Sequence, residues 1–186
     1  MSDVHFKVSS LHLLNANLLG MLISANDYYL LPGATLAEME QIPISSSEAD
    51  SQYGNFGPAN AHDGDTSTIY SAKDGKMATN WLKLYLSGTH TISTVKVVNR
   101  WVQGSYYGNK QKNTAVYVYE GETEVAHCGT ITTLNSDYNT AAAQTYPLDC
   151  GGAVGDMIYL TDLDVTSRAG LNIAEVEVYG SGISGD

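Results

Sequence analysis

Apolar and polar positions alternate over short runs from about residue 81 onward. In Trp81–Leu86, the residues Leu82, Leu84 and Leu86 fall on one face. Val95–Val98 is the next run. In Ala115–Tyr119, Val116 and Val118 point one way and Tyr117 and Tyr119 the other. Met157–Leu160 follows. In Ile173–Tyr179, Ala174, Val176 and Val178 share a face while Glu175 and Glu177 share the opposite one. Period-two alternation with one polar face predicts half-buried antiparallel strands. The connections are rich in Gly, Asn, Asp and Ser, which supply the dihedral angles that turns need. The pattern predicts an all-β antiparallel sandwich with few helices.

Two stretches depart from it. Residues 45–80 are rich in Ser, Gly, Asn, Asp and Ala with little strand pattern, and are expected to form a long structured loop of functional kind. Residues 1–41 are ambiguous. Leu11, Leu14, Leu18 and Leu22 approach a helical stripe, whereas Phe6-Lys7-Val8 and Leu11-His12-Leu13 fit strands. Ala37-Glu38-Met39-Glu40 echoes Ala174-Glu175-Val176-Glu177, which favours strands. The expected organisation is an N-terminal strand segment, 1–41, docked on a sandwich domain, 42–186.

Composition narrows the function. The chain has 186 residues with 9 Lys and Arg against 20 Asp and Glu, a formal charge of −11. Nucleic-acid affinity needs clustered cations that displace counterions, so no nucleic-acid partner is expected. The balance suits a neutral ligand, a divalent cation or both. There are 13 Tyr, most of them expected on strands with their hydroxyls in water. The apolar region Leu11–Leu31 is interrupted by Asn15, Asn17, Asn26 and Asp27, so no membrane insertion is expected. Cys128 and Cys150 are the two cysteines, fitting either one bridge or two buried thiols. A bridge would imply an oxidising final environment.

The densest chemistry lies in Asn60-Ala61-His62-Asp63-Gly64-Asp65-Thr66-Ser67-Thr68. Several oxygen donors surround a Gly turn, which suits calcium, a cation that mixes carboxylates with backbone carbonyls. An Asx-rich turn without metal fits the same residues. The spacing is not that of an EF-hand, since no twelfth-position Glu follows. His62 reads as a turn residue packing locally, and His90 and His127 as exposed strand-end residues.

The stretch Tyr53–Tyr70 resembles the loop of discoidin-like jelly rolls, the coagulation-factor C-type and F-type lectin families. Val98-Asn99-Arg100 resembles the F-type lectin strand that ends in an Asn-Arg pair. Cys128-Gly129-Thr130-Ile131, then Cys150, then Ile173–Gly180, resembles the end of that domain. The matching order spans about residues 43–180. The resemblance implies an eight-stranded β jelly roll with a structural calcium ion and a carbohydrate site at one loop end. The implied calcium ligands are Asn60, Asp65 and Ala174 through backbone carbonyls, Asp63 and Glu175 through carboxylates, and Ser71.

The family recognises fucose with one His and two basic side chains. Arg100 matches the first basic residue and Lys112 the second. The His is missing, with Lys73 or Asp74 in its neighbourhood, and so is the Asp that lies between the basic pair. The intervening loop instead holds Trp101, Tyr106 and Tyr107. A cationic pair makes charge-assisted hydrogen bonds to sugar oxygens, and an aromatic ring packs on the apolar sugar face. Arg100 also fits an ion-paired strand end, and Trp101 fits core packing. The resulting expectation is a non-catalytic lectin that binds a fucose-like or related glycan, outside the cell or on a virion surface. The alternative is a bacteriophage virion decoration or tail adhesion protein with the same fold. A homo-oligomer fits either. No nucleophile–base arrangement, phosphate loop or zinc spacing stands out.

Overall fold

The computed structural model describes residues 21–24, 27–30, 39–73, 80–100, 112–132, 143–163 and 170–182. The chain divides into two compact units, Met1–Ala37 and Glu38–Asp186. In the first, strand β1 (Met21–Ser24) pairs antiparallel with β2 (Asp27–Leu30), Met21 opposite Leu30. The sequence-predicted strands at Phe6–Val8 and Leu11–Leu13 lie outside the described residues.

The second unit is one curled antiparallel sheet of eight strands: β3 (Glu40–Ile42), β4 (Ile44–Ala49), β5 (Tyr70–Ser71), β6 (Trp81–Asn99), β7 (Thr114–Glu120), β8 (Thr123–Thr130), β9 (Thr145–Asp162) and β10 (Asn172–Gly182). β6 and β9 are its spine. They pair antiparallel from Trp81 opposite Thr161 to Val98 opposite Thr145, with interruptions after Tyr85 and Ile92. The first part of β6 also pairs with β4, and the later part with β10. β7 pairs with the far part of β9 and carries β8 on its other side. The sheet therefore curls so that its two halves face one another across a core.

Alternation sets that core. Leu82, Leu84, Val116, Val118, Ile158 and Leu160 are fully buried on one half; Ile92, Val95, Val97, Ile173 and Val178 are fully buried on the other. The single cluster they form explains why period-two reading found these strands.

Three details differ from the sequence expectation. Trp81–Leu86 and Val95–Val98 belong to one strand, because exposed Ser87–Thr89 carries the β6 backbone round the bend without losing the sheet. Gly88 adopts φ 134° there. Residues 44–49 are a strand, not a loop: their polar composition suits an edge, and the ladder to Leu82–Leu86 satisfies their backbone. His90 also differs. It lies inside β6, part-buried, with no hydrogen-bond partner on either ring nitrogen among the described residues.

Cys128 on β8 and Cys150 on β9 form a disulfide, their Cα atoms 4.2 Å apart. On the outer face, Glu48, Lys83, Tyr159, Tyr117 and His127 line up as consecutive cross-strand partners. Tyr159 sits among Trp81, Tyr117 and Tyr119, at centroid distances of 6.4, 6.3 and 5.6 Å. His127 stacks on Tyr117 at 4.7 Å, and it is exposed as expected.

Candidate functional site

β5, both ends of β6, the start of β7, the end of β9 and the start of β10 meet at one end of the sheet. Ala72 N–H donates to the Leu171 carbonyl at 2.9 Å, and Arg100 N–H to that of Asn172 at 3.4 Å. Asp162 N–H reaches the Asn80 carbonyl at 3.2 Å, and Leu163 N–H the Asn113 carbonyl at 3.0 Å. Asn113 holds φ 67°, a left-handed turn that Asn tolerates.

The segment 50–71 lies against this end and carries two features. The first is the acidic turn. A 3-10 turn, Pro58–Ala61, starts it. Asp63 Oδ1 accepts Asp65 N–H at 2.9 Å, and Asp65 Oδ1 accepts Ser67 N–H at 2.9 Å, two successive Asx turns. Thr68 Oγ1 donates to Asp63 Oδ2 at 2.7 Å and lies 3.0 Å from the Asp65 carbonyl. Asn60 Nδ2 donates to the Ile69 carbonyl at 2.9 Å, tying the two ends of the turn together. His62 packs locally, as expected, with Nε2 3.0 Å from Ser47 Oγ.

β10 supplies the other wall. Glu175 is only 5% exposed, and its Oε2 accepts Gly64 N–H at 2.9 Å. Burial raises the Glu175 pKa, the Gly64 bond lowers it, and the nearby Asp63 charge raises it again. Hydrogen bonds to Ser67 lower the Asp65 pKa. Ala174, beside Glu175, is fully buried and clusters with Ile69 and Val98. Ser71, also buried, pairs with Asn172. The turn and β10 thus bring Asn60, Asp63, Asp65 and Glu175 into one neighbourhood, with Ser71 and Ala174 on the strands beneath.

These residues suit a calcium ion by their chemistry. Every donor is an oxygen, carboxylates mix with backbone carbonyls, and two carboxylates that repel one another include one that is almost wholly buried. No described group of three or more His, Cys, Asp or Glu side chains converges on one point. Such an ion would therefore draw heavily on carbonyls.

The second feature is aromatic. Tyr53 and Phe56 form an isolated bridge across Gly54-Asn55, and their rings stack at 6.4 Å and 9°. Tyr53 N–H donates to the Ser71 carbonyl, and Ser71 N–H to the Phe56 carbonyl, which pins the pair on β5. Both rings stay exposed, Tyr53 by 55% and Phe56 by 37%. The Arg100 guanidinium lies over Phe56 at 5.8 Å, and its Nη1 donates to Asn172 Oδ1 at 3.2 Å. Asn172 Nδ2 in turn donates to the Gly170 carbonyl at 3.2 Å, so the carboxamide is fixed at both ends. Lys73, exposed, follows β5 directly, and its N–H donates to Ser51 Oγ at 3.1 Å.

Arg100 thus sits at the loop end, beside an aromatic pair. Lys112, exposed, opens the turn before β7 at the same end. Asp74, Trp101, Tyr106 and Tyr107 lie outside the described residues. Tyr53, Phe56 and Asn172 were missed as site residues. The signal that could have found the first two is an aromatic pair flanking Gly-Asn, since large rings in a tight polar turn have no core to enter.

No protein-family model matches the chain, and no curated protein does. Solved structures do. The lectin binding domain of Lectinolysin, determined with Lewis b, is 18% identical; the match covers 79% of this chain and all of that domain, with a TM-score of 0.63. A Streptococcus pneumoniae fucose binding module is 21% identical over 73% of this chain and 91% of its own, with a TM-score of 0.58. A fucolectin from Morone saxatilis serum is 20% identical over 75% of this chain and 46% of its own, with a TM-score of 0.56. The chain has the jelly-roll fold of the F-type lectin and discoidin-like domains.

Proposed function

We propose that the protein is a non-catalytic carbohydrate-binding module that takes a sugar at the loop end. The observation that carries this is the Arg100 guanidinium, held between the Phe56 ring and the Asn172 carboxamide beside an exposed aromatic pair. A sugar ring presents an apolar face and a rim of oxygens, and this arrangement offers a ring for one and charged donors for the other. The similar structures include modules described as fucose binding and one determined with Lewis b, which supports the ligand class.

In this reading Asn60, Asp63, Asp65, Ser71, Ala174 and Glu175 hold calcium. The ion would supply positive charge between Asp63 and Glu175. The residues themselves fasten the acidic turn to β10, and the same segment carries Tyr53 and Phe56. The metal therefore serves the platform without touching the sugar.

A glycan array probed with the full chain, with calcium and with chelator, tests the proposal. Binding to at least one glycan class is expected, with Arg100→Ala and Phe56→Ala each weakening it about tenfold or more, near 1.4 kcal/mol. Unchanged melting temperatures in both variants would show that the loss is local. Absence of binding to any glycan would sink the module reading. Assembly into higher oligomers in that case would favour the virion or adhesion alternative. Full affinity in both variants would move the site elsewhere.

A further inference from the structure

The outer face of one half of the sheet carries an aromatic strip that neither the core nor the loop end uses. Its make-up follows from the register of five strands. Glu48, Lys83, Tyr159, Tyr117 and His127 form one cross-strand row. Ser46, Tyr85, Met157, Tyr119 and Glu124 form the next. Trp81, two positions before Lys83 on β6, shares the face. Tyr159 is the hub, in ring contact with Trp81, Tyr117 and Tyr119. These four rings and Tyr85 are half-buried, packed at the base and open to water above. Each row crosses four inter-strand spacings of about 4.8 Å, roughly 19 Å from end to end.

The charges on this face are matched within it. Lys83 has Glu48 as its cross-strand partner, and its Nζ lies 5.0 Å from the Trp81 ring centroid. The Tyr85 hydroxyl donates to Glu48 Oε2 at 3.1 Å, and the Tyr119 hydroxyl bonds to Glu124. His127 Nε2 lies 3.2 Å from Thr130 Oγ1. A neutral ligand suits such a face better than an ionic one. The core of a protein–protein interface is depleted of charged side chains. Here they stand among the rings, and the apolar members of the face, Ala115 and Met157, are themselves buried. What stays accessible is ring surface edged by hydroxyls. A tyrosine hydroxyl both donates and accepts, as a sugar hydroxyl does, and a ring packs on the apolar face of a pyranose. A strip this long matches several sugar units in a row, not one terminal sugar.

We propose that this outer face is a second carbohydrate surface, separate from the loop end, and that it takes an extended neutral polysaccharide along Trp81, Tyr159, Tyr117 and Tyr119. It stands apart from the loop-end reading, and either can hold without the other.

Affinity electrophoresis of the full chain tests it, in native gels containing xyloglucan, mixed-linkage β-glucan or galactomannan at graded concentrations. At least one polysaccharide is expected to retard the wild type. Trp81→Ala and Tyr117→Ser are each expected to weaken that retardation about threefold or more, through lost ring contact. The double variant Arg100→Ala, Phe56→Ala removes the loop-end site and is expected to leave the retardation in place. No retardation by any of the three would overturn the proposal. So would retardation that survives Trp81→Ala and Tyr117→Ser, or that is lost only in the loop-end double variant. Sedimentation of the same proteins supplies a further check. A wild-type dimer that dissociates in Trp81→Ala would make the face a contact between copies and overturn the polysaccharide reading. If Trp81→Ala fails to fold, Tyr117→Ser still decides, because Tyr117 lies toward the β8 side of the strip, between Tyr159 and His127.

Discussion

Glu175 shows how much one side chain carries. It sits in strand β10, where the backbone amides of Gly64 and Val176 donate to it and Asp63 places a negative charge beside it. Burial, then Asp63, raises its folded-state pKa above the ordinary carboxylate value. Between the unfolded value and that raised value the native chain holds the extra proton, so stability falls as pH rises through this window. Below the ordinary carboxylate range both states are protonated, and the penalty is absent. Glu175→Gln keeps an acceptor for Gly64 and removes the charge. In chelator at neutral pH the variant is expected to melt above the wild type, with the difference shrinking as pH falls below the carboxylate range. Calcium is expected to raise the wild-type melting temperature and to leave the variant nearly unmoved, reversing the order. A wild type indifferent to calcium would remove the ion from this turn. Gly155 is a second single-residue test. A Cβ there would stand 2.5 Å from both the Tyr119 carbonyl oxygen and Val118 Cγ1. Gly155→Ala is expected to cost about 1–3 kcal/mol in a denaturant titration, from overpacking.

At the level of elements, alternation made the strands legible and polarity hid others. β7 and β10 were legible because their two faces differ in chemistry, Val116 and Val118 against tyrosines, Ala174 and Val176 against glutamates. β4 was not, because an edge strand of Ser and Glu looks like loop until Leu82–Leu86 is seen beside it. The site divides the same way. Arg100 and the acidic turn were legible as local motifs. Asn172 was not, because its role comes from pairing with Ser71 and with Arg100, which stands 72 positions away. The aromatic row was equally invisible, since it needs the register of β6, β9 and β7. Tyr159 touches three rings there, and aromatic pairs contribute about 0.5–1.5 kcal/mol each beyond burial. Tyr159→Ser is expected to lose about 2 kcal/mol or more in urea unfolding, and Tyr85→Ser, outside that ring cluster, less. The Cys128–Cys150 bridge ties β8 to β9 across a 22-residue separation. Closing a loop of that size contributes on the order of 3 kcal/mol by chain entropy. The double Ser variant is expected to lose about 2–5 kcal/mol, matched by the wild type in reductant.

Across the whole molecule, the net charge of −11 predicts a response to salt. Twenty carboxylates against nine Lys and Arg repel one another, which disfavours the compact state. Monovalent salt screens that repulsion, with a Debye length of about 10 Å at 0.1 M. Raising sodium chloride from about 0.01 M to about 0.2 M is expected to lift the melting temperature by relieving self-repulsion. A melting temperature that falls with salt would mean that attractive pairs such as Lys96–Glu177, 3.7 Å apart, outweigh the repulsion.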